Sequence, residues 1–152
     1  MKRRISIVLI IVLVITLVTV SFKYKTLLDE HNGQQSNVNG MFQSDLSIAS
    51  NLFAGNFLTN ENSKNYNYNH AISQIASAFQ LFQFTTYRNN NNGLFEQLDN
   101  LYNLMERDEY KETILQKSNL IHEVLSQLTL NPEDKQATEN LSNLIEEIRL
   151  KK

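Results

Sequence analysis

The chain has 152 residues, 41% of them hydrophobic, and its four Gly and one Pro are too few for the turns of a β-sandwich or barrel, so the composition predicts an all-α fold. The absence of Cys excludes disulfides, thiolate zinc sites and Cys nucleophiles. The net charge is −2 overall but −7 from residue 26 onward, where nine Lys and Arg accompany sixteen Asp and Glu, and this sign argues against nucleic acid as a partner.

Residues 1–25 predict a membrane anchor. No charge lies between Arg4 and Lys23, and thirteen of the first sixteen residues after Arg4 are Ile, Val or Leu. At ~1.5 Å per residue this run forms a helix about 27 Å long, close to the roughly 30 Å of a bilayer's hydrocarbon core. Three cations precede the run and two follow it, so the positive-inside rule predicts a cytoplasmic N-terminus and an extracytoplasmic remainder, with the chain held at the cell membrane by one span.

The alternative for this segment is a secretory signal that is cleaved after residue 21. Thr19 and Ser21 are small enough for the two specificity positions of a cleavage site, and cleavage would release a secreted protein. The apolar run is longer than the roughly 7 to 15 residues of a typical signal core, so a retained anchor is favoured.

Residues 26–40 predict a flexible stalk, because they contain two Gly, several Asn and few apolar side chains. The alternative is a helix that continues from the membrane through this stretch. Since Asn and Gly are poor helix formers, the stalk is favoured. Residues 41–152 are then expected to form an extracytoplasmic helical bundle.

Apolar residues at helical spacing predict four helices in that bundle, over 41–58, 69–88, 94–129 and 132–150. The stripe of the third helix changes phase in a polar run around Arg107, so one long, bent helix is expected, with a break there as the alternative. Before the fourth helix, Asn131 is suited to cap the helix and Pro132 to occupy its first turn. Short connections between these segments predict an antiparallel four-helix bundle.

The search for catalytic chemistry finds no candidate residue. None of His31, His70 and His122 has a second metal-ligating side chain three or four residues away, and there is no Gly-rich phosphate loop or nucleophile elbow. The acids at 108, 109 and 112 are more typical of a solvated helix face than of a glycosidase pair. The sequence therefore predicts no catalytic, cofactor or metal site, and a protein that is not an enzyme.

Aromatic residues are concentrated between residues 53 and 87, which contain eight of the fourteen Phe and Tyr. At ~100° per residue, Phe84 lies about 160° around the helix from Phe82, so the two rings cannot share one buried face. Internal packing is the commoner fate of such rings in bundles, but an exposed patch for a protein partner is the alternative. The best candidates for that surface are Phe57, Phe84 and Tyr87.

The expected function is that of a membrane-tethered interaction module, an envelope subunit, regulator or immunity-type accessory that binds another protein. The alternative is a binding protein for a small apolar or cationic ligand, held between helices near Phe79, Phe82 and Leu98. In architecture the chain resembles the sensory module of bacterial chemoreceptors, which would imply ligand sensing. Those receptors return through the membrane, and no second apolar span follows residue 25 here.

Overall fold

The computed structural model of the protein describes the backbone of residues 2–54 and 61–150 and the side chains of residues 13–54 and 63–150. Over these ranges every regular element is helical, so the predicted all-α class is confirmed. The elements are α1 (Lys2–Ala54), α2 (Glu61–Phe82), a 3₁₀ turn (Thr86–Asn89), α3 (Asn92–Met105), α4 (Asp108–Gln116), α5 (Ser118–Leu130) and α6 (Lys135–Leu150). The chain divides into two compact units, Met1–Ser36 and Asn37–Lys152.

The first unit is the N-terminal part of α1, and nearly all of its described side chains are exposed. Among the described residues, no helix contains an apolar stretch long enough to cross a membrane. The predicted span begins at Ile5, and the side chains of residues 1–12 lie outside the described residues. Residues 26–40, for which a flexible stalk was favoured, are helical and belong to α1. Val38 and Asn39 are half-buried, so contacts override the poor helix propensity at the end of this segment.

In the second unit, α1 lies between α2 and α5 and runs antiparallel to both. The contacts that show this join Phe42 to Phe82 and Asp45 to Ser77 on the α2 side, and Gln43 to Thr129 and Ser50 to His122 on the α5 side. From the first contact to the second on each side, the residue number rises along α1 and falls along the neighbouring helix. Both neighbours are therefore antiparallel to α1.

The helix α6 runs parallel to α3 and antiparallel to α5. Asn91 bonds to Thr138 at the start of both α3 and α6, and Asn100 bonds to Arg149 near the end of both. At the start of α5, Lys117 pairs with a Glu near the end of α6. Since α3 also packs against α2, the helices α1, α2, α3, α6 and α5 surround one core.

The predicted long helix over 94–129 is wrong, and with it the count of four helices. The chain leaves the helix at Arg107, whose backbone is extended (φ −102°, ψ 114°), and bends again at Lys117. The break places Asp108 at the positive end of the α4 dipole and lets Tyr110 and Ile114 turn into the core. Because α4 redirects the chain, α5 returns antiparallel to α3, which gives five helices side by side.

The apolar stripes read from the sequence are nevertheless confirmed as the core. The stripe residues of the segments after residue 93 are all buried: Leu94, Leu98, Leu101, Met105, Tyr110, Ile114, Ile121, Val124, Leu125, Leu128, Ala137, Leu141, Leu144, Ile145 and Ile148. A stripe identifies the buried face of a helix even when the boundaries of that helix are misjudged.

Two predicted helix boundaries are also corrected. The helix expected over 69–88 begins at Glu61 and ends at Phe82, and the 3₁₀ turn begins four residues later at Thr86. The helix expected from Pro132 begins at Lys135 instead. Asp134 is its capping residue, because its carboxylate accepts from the backbone N–H groups of the second and third residues of α6 at 2.9 and 3.1 Å. The end of the helix predicted over 41–58 lies outside the described residues beyond Ala54.

Candidate partner-binding surface

The three residues predicted for a partner surface have different environments. Phe57 lies outside the described residues. Phe84 is 63% exposed on the turn after α2. Tyr87 is half-buried, and its ring centroid lies 6.0 Å from that of Phe42, so Tyr87 packs at the edge of the core. Phe84 is therefore the exposed aromatic residue of the set.

Phe84 is exposed because α2 ends two residues before it. The N–H of Phe84 donates to the Leu81 carbonyl at 2.9 Å, which continues the turn of the helix for one more residue. Thr85 then adopts an extended backbone (φ −78°, ψ 159°), and its buried hydroxyl donates to the Phe82 carbonyl at 2.8 Å. This hydrogen bond ends the helix and leaves the Phe84 ring on the outside.

The turn that carries Phe84 is fixed to α1. The side-chain amide of Asn39 donates to the Thr86 hydroxyl at 2.8 Å, and the Thr86 N–H donates to the Asn39 side-chain oxygen at 3.1 Å. The packing of Tyr87 on Phe42 adds an apolar contact beside these bonds. An apolar ring on an ordered turn loses little conformational freedom when a partner covers it, which favours binding.

Two exposed apolar side chains of α1 were missed in the sequence, and one of them, Met41, lies near this turn. Met41 is 57% exposed and Ile48 is 38% exposed. The carboxylate of Asp45 accepts from the Ser77 hydroxyl at 2.5 Å, so Asp45 marks the side of α1 that faces α2. At ~100° per residue, Met41 and Ile48 lie within about 60° of Asp45 around the helix and so flank that side. The antiparallel register places Met41 across from Phe84. Their seven-residue spacing, two helical turns, was the signal that could have identified them.

The residues considered for an internal ligand site belong to the packed core. Phe82 and Leu98 are fully buried, and the Phe79 ring lies 4.7 Å from the Phe95 ring, centroid to centroid. A surface cleft of about 530 Å³ lies elsewhere, between residues 89–93 and α6, and mostly polar side chains line it. The geometry therefore gives the apolar-ligand hypothesis no support at the place where the sequence suggested it.

A polar cluster between α1 and α5 was not predicted. The Ser50 hydroxyl lies 2.9 Å from His122 Nδ1 and 2.8 Å from the Ser126 hydroxyl, and donates to the His122 carbonyl at 3.0 Å. His122 Nδ1 also lies 3.0 Å from the Ser50 carbonyl oxygen, which is an acceptor, so Nδ1 carries the hydrogen. Ser50 is 2% exposed, and together with Ser126 and Thr129 it lines a surface cleft of about 270 Å³. The hydrogen bonds of this cluster therefore join α1 to α5.

Tyr68 is a second polar group of the core. Its hydroxyl donates to the Met105 carbonyl at 3.1 Å, where α3 ends. Burial raises the pKa of the Tyr68 phenol, and the negative charges of Asp108 and Glu106 raise it further. The neutral phenol is thus the form that the folded protein holds, and it supplies a donor to a carbonyl that the break in the helix leaves without an intrahelical partner.

The other two histidines are far apart in the chain and have different surroundings. His31 is exposed on α1, and His70 lies beside Tyr66 on α2, with ring centroids 6.1 Å apart. Among the residues that the structure describes, no three His, Asp or Glu side chains are grouped closely enough to hold a metal ion.

Comparison of the chain with protein-family models, with curated proteins and with solved structures gives no match. The function proposed for it consequently rests on the residues and contacts described above.

Proposed function

We propose that the protein is a membrane-tethered interaction module. Residues 5–22 span the membrane with the N-terminus in the cytoplasm, and the unit Asn37–Lys152 binds another protein outside the cytoplasm through a surface centred on Phe84. The observation that carries the proposal is the large exposed fraction of Phe84 on a turn that hydrogen bonds hold to α1.

The tether is supported by the chemistry of the N-terminal segment. The eighteen residues between Arg4 and Lys23 carry no charge, and the apolar side chains described among them, from Leu13 to Phe22, are exposed around α1. The Thr19 hydroxyl donates to the Ile15 carbonyl of its own helix at 2.9 Å, which satisfies that polar group without water. Lipid is the environment that favours such a surface, since water would contact apolar groups around the whole helix.

The energy available at Phe84 is sufficient for a central contact. A Phe side chain buries roughly 150 to 250 Å² when it is covered, and 63% of that area remains exposed here. At ~25 cal/mol per Å², covering the exposed part contributes about 3 kcal/mol to binding. This value is typical of a residue that dominates an interface. The net charge of −7 outside the membrane segment favours a partner with a cationic surface.

Affinity capture from detergent-solubilised membranes tests the proposal. Phe84→Ser should abolish capture of the partner and leave the melting temperature unchanged. Tyr66→Ser is the matched control, because Tyr66 is an aromatic residue of similar exposure at the other end of α2. Equal capture by the two variants would reject Phe84 as the centre of the surface.

Protease treatment of spheroplasts tests the orientation. The unit Asn37–Lys152 should be degraded when protease is added outside intact spheroplasts, and the mature chain should retain residues 1–25. A mature chain that begins at Phe22 would instead establish cleavage and a secreted protein.

A further inference from the structure

The residues of α1 repeat in a pattern of which only part, Val38, Asp45 and Leu52, faces the helix bundle. Between residues 13 and 52, two sets of positions each recur every seven residues. The second set lies four residues after the first, so successive positions of the repeat are four and three residues apart. The first set is Leu13, Val20, Leu27, Gln34, Met41 and Ile48, and the second is Leu17, Tyr24, His31, Val38, Asp45 and Leu52. Nine of these twelve residues are apolar, which is the pattern of a coiled-coil seam.

The polar stretch 26–40 provides the sharpest evidence for this pattern. It contains three apolar residues, Leu27, Leu28 and Val38, and two of them fall on the repeat. In the first unit, Leu27 is 63% exposed. In the second unit, the exposed side chains of α1 on the repeat are Met41 and Ile48, which lie away from the core face of the helix. Both units thus expose apolar positions of the repeat to the surroundings.

We propose that two copies of this chain pair in parallel through the repeat on α1. The inference rests on the proposed membrane tether, because a shared membrane sets the two α1 helices parallel and at the same height. The exposed positions of the repeat, Leu27, Met41 and Ile48 among them, then meet their own copies across a two-fold axis. The tether also confines the copies to a surface and raises their effective concentration.

The polar positions fit this arrangement. Gln34 and His31 lie in the middle of the repeat, and single polar residues at such positions fix the register and favour two strands at some cost in stability. Asp45 already has the Ser77 hydroxyl as its donor on the α2 side. A strict seven-residue spacing drifts about 20° per heptad on a straight helix, so pairing along the repeat winds the two helices into a left-handed supercoil. Met41 and Ile48 therefore contact the second copy of the chain, whereas Phe84 contacts the partner protein.

Disulfide cross-linking of the full chain in lipid vesicles tests the pairing. The chain contains no Cys, so a single introduced Cys reports only on itself. Leu27→Cys and Gln34→Cys are on the repeat, whereas Asp29→Cys and Ser36→Cys lie about 200° away and are exposed. Oxidation with copper phenanthroline should give at least about five-fold more disulfide dimer on the repeat than off it, because a disulfide needs Cα atoms within ~7 Å. The ratio should persist when the vesicles contain more lipid per protein.

Failure of the pairing and failure of the tether give different results. Equal cross-linking at all four positions, or none, overturns the pairing whether or not the chain resists alkaline extraction from the vesicles. Release of the chain by alkaline extraction overturns the tether. Phe84→Ser combined with Gln34→Cys should cross-link as Gln34→Cys does, and a lower yield would overturn the separate assignment of the two surfaces.

Discussion

Two phenylalanines that are two residues apart should respond oppositely to truncation. Phe82 is fully buried, with its ring centroid 5.3 Å from that of Phe42, whereas Phe84 is mostly exposed. Phe82→Ala removes a packed ring and leaves a cavity, which costs about 3 to 5 kcal/mol. Phe84→Ala removes a ring that water already contacts, and changes stability by less than about 0.5 kcal/mol.

These free energies give clear shifts of the melting temperature. In a folded unit of this size, 1 kcal/mol lowers the melting temperature by roughly 4 °C, so Phe82→Ala should lower it by roughly 12 to 20 °C and Phe84→Ala by less than about 2 °C. Far-ultraviolet circular dichroism of the full chain in detergent measures both. If Phe84→Ala melts as early as Phe82→Ala, the ring of Phe84 is part of the core and the proposed surface does not exist.

Four further substitutions test hydrogen bonds of the second unit by urea unfolding. Tyr68→Phe should lower the free energy of unfolding by about 1 kcal/mol, because the Met105 carbonyl loses its donor. The folded phenol stays protonated while the unfolded one ionises near pH 10, so the native chain should lose stability as the pH rises past about 10 and this variant should lose less. Asp134→Ala should cost about 1 kcal/mol as the cap of α6, and Asn131→Ala clearly less; equal costs would restore the predicted cap. Ser50→Ala should cost about 1 to 3 kcal/mol by leaving buried partners unsatisfied, and a neutral result would show that water replaces the hydroxyl.

Much of the core could be predicted from the sequence, because burial follows the apolar stripes. Helix ends were harder, since the residues that end α3 and α2 include neither Gly nor Pro. At the end of α2 the signal is the hydroxyl of Thr85, which bonds to the Phe82 carbonyl, and Thr is too common in helices to reveal this alone. The end of α2 also explains the environments of the candidate partner-binding residues. Phe84 and Tyr87 both lie beyond the end of α2, so the helical phase of α2 does not decide the exposure of either ring.

Contacts distant in sequence were outside the reach of periodicity. Asn91 belongs to an Asn-rich run before α3, yet it is only 3% exposed. Its side-chain amide donates to the Pro132 carbonyl at 2.9 Å and to the Thr138 hydroxyl at 2.7 Å. A pattern of apolar residues gives no information on which loop a buried amide will join. The bond holds the turn before α3 against the turn before α6.

The break near Arg107 determines the topology of the bundle. Both α3 and α5 pack against α6, so α6 occupies the position between them. Neighbouring helix axes are about 8 to 10 Å apart, and a chain that continued straight from α3 could not return beside α1. The nine residues of α4 span about 13 Å, and α4 contacts α3, α6 and α5, so it carries the chain past the position that α6 later fills. The polar run that interrupts the apolar stripe is therefore what sends α5 back to pair with α1, and the parallel packing of α6 on α3 follows from that reversal.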